Sequence, residues 1–273
     1  MPEETTAEFA AGDLVVDWPE LRVVPKVSVA CKTDLGRVRE NNEDKLEFYI
    51  PESDNMLAAR GSVFIVCDGM GGHAAGQIAS ELTCKTFIDV YLHHSSPDPV
   101  IAARAAVEAA NRFVLDVGRS VPGRKGMGTT LSCVILCQDR AISVQVGDSR
   151  GYRLRDGVLE QITEEHSFVE EQVRQGFMTR QEAERSPYAH VLTRAIGVED
   201  RAEPHIAVHD LREGDIFLLC SDGLTNHVPD PQIAGMLTRF APGEAVWKLV
   251  AAALVDGGSD NCTALCVRVD SIG

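Results

Sequence analysis

The chain has 273 residues, 44% hydrophobic but only 5% aromatic, which permits a sizeable, mainly aliphatic core in one large domain or two small ones. Forty-one acidic against 26 basic residues give a formal net charge of −15, which argues against nucleic acid or an anionic membrane as the main partner. No apolar run approaches the ~20 residues of a membrane-spanning helix. The start, Met1-Pro2-Glu3-Glu4-Thr5-Thr6, lacks the basic and apolar regions of a signal peptide, so a soluble cytoplasmic protein is expected.

Residues 1–26 carry six acids before the first base at Arg22, together with Leu14, Val15, Val16, Trp18 and Leu21. The segment reads as an N-terminal acidic extension, either a docking arm or a disordered end that adds a strand to a sheet; the second is preferred. The run Ser62-Val63-Phe64-Ile65-Val66-Cys67 is a strand that meets Asp68-Gly69. A helix follows from Ala74 to Tyr91. Asp98 as cap and Pro99 in the first turn open another, with Val100, Ala103, Val107, Ala110, Val114 and Val117 on one stripe. Thr129–Cys137 and Ala141–Val146 read as strands, and Asp156-Gly157 as the turn between two more.

Residues 163–203 are polar, and Thr179-Arg180-Gln181-Glu182 has the form of a capping box, so short helices are expected there. A second strand, Asp215–Ser221, runs into Asp222-Gly223. Helices are predicted from Asp230-Pro231 and over Glu244–Val255, the latter stopped by Gly257-Gly258, and a last strand over Cys262–Val269. Short turns between neighbouring strands favour antiparallel pairing, hence an α+β fold. The eight cysteines contain no Cys-x-x-Cys pair; Cys133 with Cys137, and Cys262 with Cys266, share a strand face and read as reduced, buried thiols.

The chemistry sits at strand ends. An aspartate that closes an apolar strand and is followed by glycine holds a hard oxygen ligand at a sheet edge, where the glycine lets its own carbonyl approach the same ligand. Asp68 and Asp222 have this setting, and Asp148 in Gly147-Asp148-Ser149 and Asp260 in Ser259-Asp260-Asn261 have related ones. Asp-Gly is also the commonest turn dipeptide, a reading that suits Asp156-Gly157 and Asp256-Gly257. Four such carboxylates suggest a Mg²⁺- or Mn²⁺-type centre.

Longer strings carry a resemblance. Arg37-Val38-Arg39-Glu40-Asn41-Asn42-Glu43-Asp44, Asp68-Gly69-Met70-Gly71-Gly72-His73, Gly126-Met127-Gly128-Thr129-Thr130, Gly147-Asp148-Ser149-Arg150, Cys220-Ser221-Asp222-Gly223 and Ser259-Asp260-Asn261 stand in one order at compatible spacings. Together they resemble the PP2C-type (PPM) metal-dependent protein serine/threonine phosphatases, in the form of the bacterial branch, over residues 27–270. The resemblance implies an αββα sandwich of two antiparallel sheets flanked by helix pairs, with residues 163–203 as a mobile flap beside the active site.

It further implies two core Mn²⁺ or Mg²⁺ ions. By resemblance Asp68 would bridge both, the carbonyl of Gly69 would bind the second, and Asp222 and Asp260 would complete the first. Glu43 and Asp44 act through waters, though acids in loops are ordinarily just solvated. Asp148 helps Asp222 hold a third, weaker ion. Arg39 is the phosphate anchor, chosen over Arg37 by its spacing to Glu43-Asp44, and is expected to touch phosphate and not the ions. His73 is the candidate general acid, against a metal-bound water as donor or a merely packing role. His93, His94, His166, His190, His205, His209 and His227 have no supporting spacing. Ser149 and Arg150 are expected to hold the turn of Asp148, and the Gly126–Thr130 string to be architectural. The implied activity is hydrolysis of phosphoserine and phosphothreonine in phosphoprotein substrates, opposing a cognate Ser/Thr kinase, by a monomer. A catalytically silent binding module and a small-molecule phosphohydrolase are the alternatives on the same fold.

Overall fold

Twelve strands and eight helices follow one another in a computed structural model that describes residues 19–72 and 74–273. The chain begins with β1 (Pro25–Asp34) and β2 (Lys45–Tyr49), a short helix α1 (Asp54–Ala59), and β3 (Ser62–Cys67), which passes Asp68 into the two-residue β4 (Gly69–Met70). Two long helices, α2 (Ala74–His93) and α3 (Pro99–Ser120), precede β5 (Gly128–Thr129), β6 (Leu131–Cys137), β7 (Arg140–Val146), β8 (Arg150–Arg155) and β9 (Val158–Gln161). Short helices α4 (Phe168–Arg174) and α5 (Arg180–Glu184) lead to β10 (His205–Asp210) and β11 (Ile216–Cys220). The turn α6 (Asp222–Thr225), helices α7 (Asp230–Arg239) and α8 (Pro242–Val255), and β12 (Cys262–Ile272) complete it.

The strands form two five-stranded sheets, ordered β1-β12-β11-β8-β9 and β10-β7-β6-β3-β2, with every pairing antiparallel. Alternation explains how each central strand serves two layers. Along β3, Val63, Ile65 and Cys67 pack under α2 and α3, while Phe64 and Val66 point between the sheets. Along β12, Cys262, Ala264 and Cys266 pack under α7 and α8, while Leu265, Val267 and Val269 meet the opposite sheet. Strands buried on both faces lose the polar alternation of a surface strand, which is why β3 reads as a continuous apolar run. The result is four layers, helix pair, sheet, sheet, helix pair, as the resemblance implied.

Local signals hold where expected. Asp98 caps α3 by accepting from Val100 N–H at 2.8 Å. The capping box at Thr179 is complete, and Gly258 N–H closes α8 onto Ala253 O at 3.0 Å. Asp156 and Gly157, with φ of 51° and 79°, form the left-handed two-residue turn between β8 and β9. The strand predicted over Thr129–Cys137 is instead broken at Thr130, because Thr129 turns aside to exchange backbone hydrogen bonds with Ile196. The cysteines are free, and Cys133/Cys137 and Cys262/Cys266 share faces as expected, but Cys31 is exposed because β1 is an edge strand. Of the N-terminal extension, residues 1–18 lie outside the described residues, while Pro25 and Lys26 belong to β1. Among the described residues no helix is long and apolar enough to cross a membrane.

Candidate metal centre

Antiparallel pairing brings strand ends of opposite sense together, and the acidic side chains sit at the ends that meet. Asp68 follows β3, whose Cys67 pairs with Lys45 at the start of β2, directly after Glu43 and Asp44. Asp222 follows β11, whose Cys220 pairs with Ala264 near the start of β12, just after Asp260. Asp148 follows β7, whose Val146 pairs with Leu131. Arg39, Glu43, Asp68, Gly69, Asp148, Asp222 and Asp260 all line one cleft of about 500 Å³. Asp44 lies beneath it, 6% exposed, with Oδ2 accepting from Ser221 Oγ at 2.7 Å.

Burial and mutual repulsion set the electrostatics. Burial, then the charges of Asp44, Asp222, Asp148 and Asp260, hold the Asp68 carboxyl well above the usual carboxylate range. Burial pushes Asp44 up to about 7, against hydrogen bonds from Thr263 and Ser221. Burial, then Asp222 and Glu165, push Asp148 up to about 7 as well. Asp222 is the exception: burial raises it, but the His190 imidazole and the Asn226 amide outweigh that and lower it. His190 Nδ1 stands 3.6 Å from Asp222 Oδ2, a charge contact rather than a hydrogen bond.

A divalent cation suits this arrangement. The donors are oxygens, as hard Mg²⁺ or Mn²⁺ requires. Asp44 Oδ1 is buried and finds no hydrogen-bond partner among the described residues, a cost that a bound cation or its water shell removes. Two glycines make the room: a Cβ on Gly76 would sit 2.0 Å from Glu43 Oε2, and one on Gly69 would sit 2.2 Å from Gly76 O. Among the described residues no group of three or more His, Cys, Asp or Glu side chains is drawn close enough to hold a metal ion as it stands.

The surrounding motifs act as scaffold. Asp68 N–H donates to Thr130 Oγ1 at 2.9 Å, and Asp68 O accepts from Thr129 Oγ1 at 2.8 Å and Thr130 N–H at 2.9 Å. Thr130 Oγ1 lies 2.7 Å from Ser149 Oγ, which ties the Asp148 turn to the Asp68 turn. Arg150 does not hold that turn by its side chain; its guanidinium pairs with Glu165 at 2.8 Å. Arg39 Nη2 meets Asp260 Oδ2 at 2.5 Å, so the guanidinium rests against one of the carboxylates expected to hold an ion. Arg37 instead donates its backbone N–H to Gly258 O at 2.8 Å. His73 lies outside the described residues.

Four residues that sequence reasoning passed over also shape the site. Asn261 clamps two loops, donating Nδ2–H to Leu35 O at 2.9 Å and Asn41 O at 3.0 Å while Oδ1 accepts from Glu43 N–H at 2.8 Å. His166, fully buried and pushed down to about 4 by burial and then by Arg194, lies with Nδ1 3.3 Å from Gly147 N behind Asp148. His190 lines the cleft, and His227 sits 2.9 Å from Ser259 Oγ, one residue from Asp260. Their partners are distant in sequence, so no spacing announces them.

Comparison with known proteins agrees with this geometry. Residues 40–254 match the sequence pattern of the family described as Protein phosphatase 2C. The serine/threonine phosphatase stp of Listeria monocytogenes is 36% identical over 244 residues, 88% of this chain and 94% of that one. The serine/threonine protein phosphatase PstP of Mycobacterium tuberculosis is 36% identical over 248 residues, 91% of this chain but 46% of the relative. Among solved structures, the S. agalactiae serine/threonine phosphatase matches with a TM-score of 0.82 at 33% identity, covering 89% of this chain and 100% of that chain. The catalytic domain of PstP in complex with 2 manganese ions matches with a TM-score of 0.77 at 36% identity, covering 90% and 99%. With that pattern running from the loop before β2 to the end of α8, the chain belongs to the protein phosphatase 2C family.

Proposed function

We propose that the protein hydrolyses phosphoserine and phosphothreonine in phosphoproteins, with Mn²⁺ or Mg²⁺ as cofactor. The observation that carries this reading is one cleft that gathers Glu43, Asp68, Asp148, Asp222 and Asp260 beside the guanidinium of Arg39. The relatives named serine/threonine phosphatases, and the manganese-bound PstP domain, support it.

In this reading Asp68, Asp222 and Asp260, with the Gly69 carbonyl, would hold the two core ions, Glu43 and Asp44 would act through their waters, and Asp148 with Asp222 would hold a weaker third. Bound divalent cations supply the Lewis acidity that activates water at neutral pH and offsets phosphate charge. Arg39 forks two phosphoryl oxygens and turns the phosphorus toward the carboxylate wall. His73 donates a proton to the departing seryl or threonyl oxygen. Residues 163–203 act as a flap over the cleft, to which they contribute His190, Leu192, Arg194 and Arg201.

A cytoplasmic monomer that opposes a Ser/Thr kinase completes the proposal; free thiols fit a reducing compartment. A silent binding module would be expected to have lost one of the aspartates proposed to bind metal, whereas Asp68, Asp148, Asp222 and Asp260 all line the cleft. The deciding experiment compares release of phosphate from a phosphopeptide with release from free phosphoserine and nucleotides, with and without Mn²⁺. Phosphopeptide turnover that needs Mn²⁺ and exceeds the small substrates supports the reading. Turnover in metal-free buffer, or preference for the small substrates, removes it.

A further inference from the structure

His227 joins the segment after Asp222 to the loop before Asp260. It follows α6, the helical turn that Asp222 opens, and its ring reaches across to the loop Asp256–Asn261 that carries Asp260. Nδ1 stands 3.1 Å from Asp256 Oδ2, and Nε2 stands 2.9 Å from Ser259 Oγ and 3.2 Å from Ser259 N. A backbone N–H can only donate, so Nε2 is the accepting nitrogen and the ring proton sits on Nδ1, aimed at Asp256. One imidazole nitrogen thus holds both the main chain and the side chain of the residue before Asp260. The His227 side chain is 11% exposed, and Gly257 leaves the ring its place, since a Cβ there would lie 3.3 Å from His227 Cε1.

The rest of the loop shows why such a tie matters. On the far side of Asp260, Asn261 is fixed by three hydrogen bonds to Leu35, Asn41 and Glu43. On the near side, Gly257 and Gly258 have φ of 140° and 54°, a stretch with no side chains of its own to stiffen it. Asp222 is held by Asn226 Nδ2–H at 3.1 Å and by α6, and its neighbour Ser221 accepts from Thr263 N–H at 3.0 Å on the Asn261 side of the loop. Two ligands of one ion must keep a fixed separation, and on the glycine side of Asp260 His227 ties the segment after α6 to the residue before Asp260.

We propose that His227 is a positioning residue for metal capture: through Ser259 it sets the distance between Asp222 and Asp260, and so the affinity of the site for its first cation. The inference rests on the reading that Asp222 and Asp260 share an ion. Partners behind the ligands of metal sites commonly contribute about 10–100-fold in affinity by such orientation.

Calorimetry with Mn²⁺ on the full chain tests it, comparing wild type with His227→Leu, His227→Gln, Ser259→Ala and Asp260→Ala, with kcat and the KM for Mn²⁺ measured alongside. His227→Leu should weaken Mn²⁺ binding about 10-fold or more and raise the KM for Mn²⁺ to match, while kcat at saturating Mn²⁺ stays within roughly threefold. His227→Gln should recover most of the affinity, because its Oε1 takes the place of Nε2 and accepts from Ser259 N–H. Ser259→Ala, at an exposed position, folds even if His227→Leu does not, and should lose a smaller part of the affinity. Wild-type affinity in Ser259→Ala and His227→Leu overturns the proposal. So does a His227→Gln variant no better than His227→Leu, since the acceptor restored to Ser259 N–H would then contribute nothing to the affinity. Loss of affinity in Asp260→Ala with none in the His227 variants removes His227 alone. Wild-type affinity in Asp260→Ala removes Asp260 from the ligand set, and the proposal with it.

Discussion

Arg39 and Asp260 share one contact, Nη2 to Oδ2 at 2.5 Å, so the proposed phosphate anchor leans on a proposed metal ligand. The hydrogen bond to Asp260 raises the Arg39 guanidinium above its ordinary value, against the cost of burial and with help from Glu43 and Asp68. The two side chains are 54% and 29% exposed, so the pair is screened and adds little to stability. Its importance is to place the guanidinium over the carboxylate wall.

Arg39→Ala should therefore lower kcat/KM for a phosphopeptide on the order of 10–1000-fold, as loss of a bidentate charge-assisted contact does. Mn²⁺ should bind at least as tightly as in the wild type, because the change deletes a positive charge beside five carboxylates and frees Asp260. Steady-state kinetics paired with calorimetry reads both. Unchanged kinetics, or loss of Mn²⁺ binding, would move the anchor elsewhere.

Asp68→Asn and Asp222→Ala should each abolish Mn²⁺ binding and turnover while the fold survives. Asp68 is buried among like charges that hold its carboxyl up, so in EDTA Asp68→Asn should melt no lower than wild type, since it removes repulsion. Circular dichroism with and without EDTA checks this. Residual metal-dependent turnover in either variant would dismiss that residue as a ligand.

Stability without metal should fall as pH rises. Asp44 and Asp148 are both pushed up to about 7 by burial, so the folded state binds more protons than the unfolded chain between about pH 4 and 7. A carboxyl raised in this way stabilises the fold below its unfolded value and loses that contribution as pH climbs through its folded one. In EDTA, Tm should drop from pH 5.5 to pH 8; with saturating Mn²⁺ the trend should flatten or reverse, because metal binding requires the deprotonated carboxylates. Scanning calorimetry at stepped pH that gave a rising Tm in EDTA would contradict the clustered-carboxylate account.

Asp148→Ala should keep the two core ions and lose most turnover. Asp148 lines the carboxylate cleft and also a second one beside the flap, together with His190 and Asp222. An ion held there by Asp148 and Asp222 has fewer protein ligands than the core pair, hence weaker binding and easier exchange. Calorimetric stoichiometry with Mn²⁺, followed by turnover across a full Mn²⁺ range, checks both halves. Loss of the core ions, or wild-type turnover throughout, would reduce Asp148 to another role.

Much of this was readable before any coordinates. β3 and β11 announce themselves as apolar runs ending in Asp68-Gly69 and Asp222-Gly223, and α3 by its cap at Asp98 and its stripe of small residues. β1, β2 and β10 gave no such signal, because edge strands are half exposed and their apolar alternation is diluted. Local chemistry is written locally: a capping box, a left-handed Asp156-Gly157 turn and an Asp-Gly strand end each need only neighbouring residues.

What the sequence determined by itself is thus the set of strand-end carboxylates and an α+β chain of antiparallel strands, which the family resemblance extended to four layers. What only the tertiary structure decided is which ends meet. Antiparallel pairing places the residue after one strand beside the residue before the next, so Asp68 joins Glu43 and Asp44 through the register of Cys67 with Lys45. Asp222 joins Asp260 through that of Cys220 with Ala264. The side chains that bind these ends together, Asn261 across 220 residues to Asn41 and His227 across 32 to Ser259, form hydrogen bonds whose partners are adjacent only once the chain is packed. A hydrogen bond is short-ranged and directional, so a contact between such distant positions leaves no periodicity in the sequence for a reader to find.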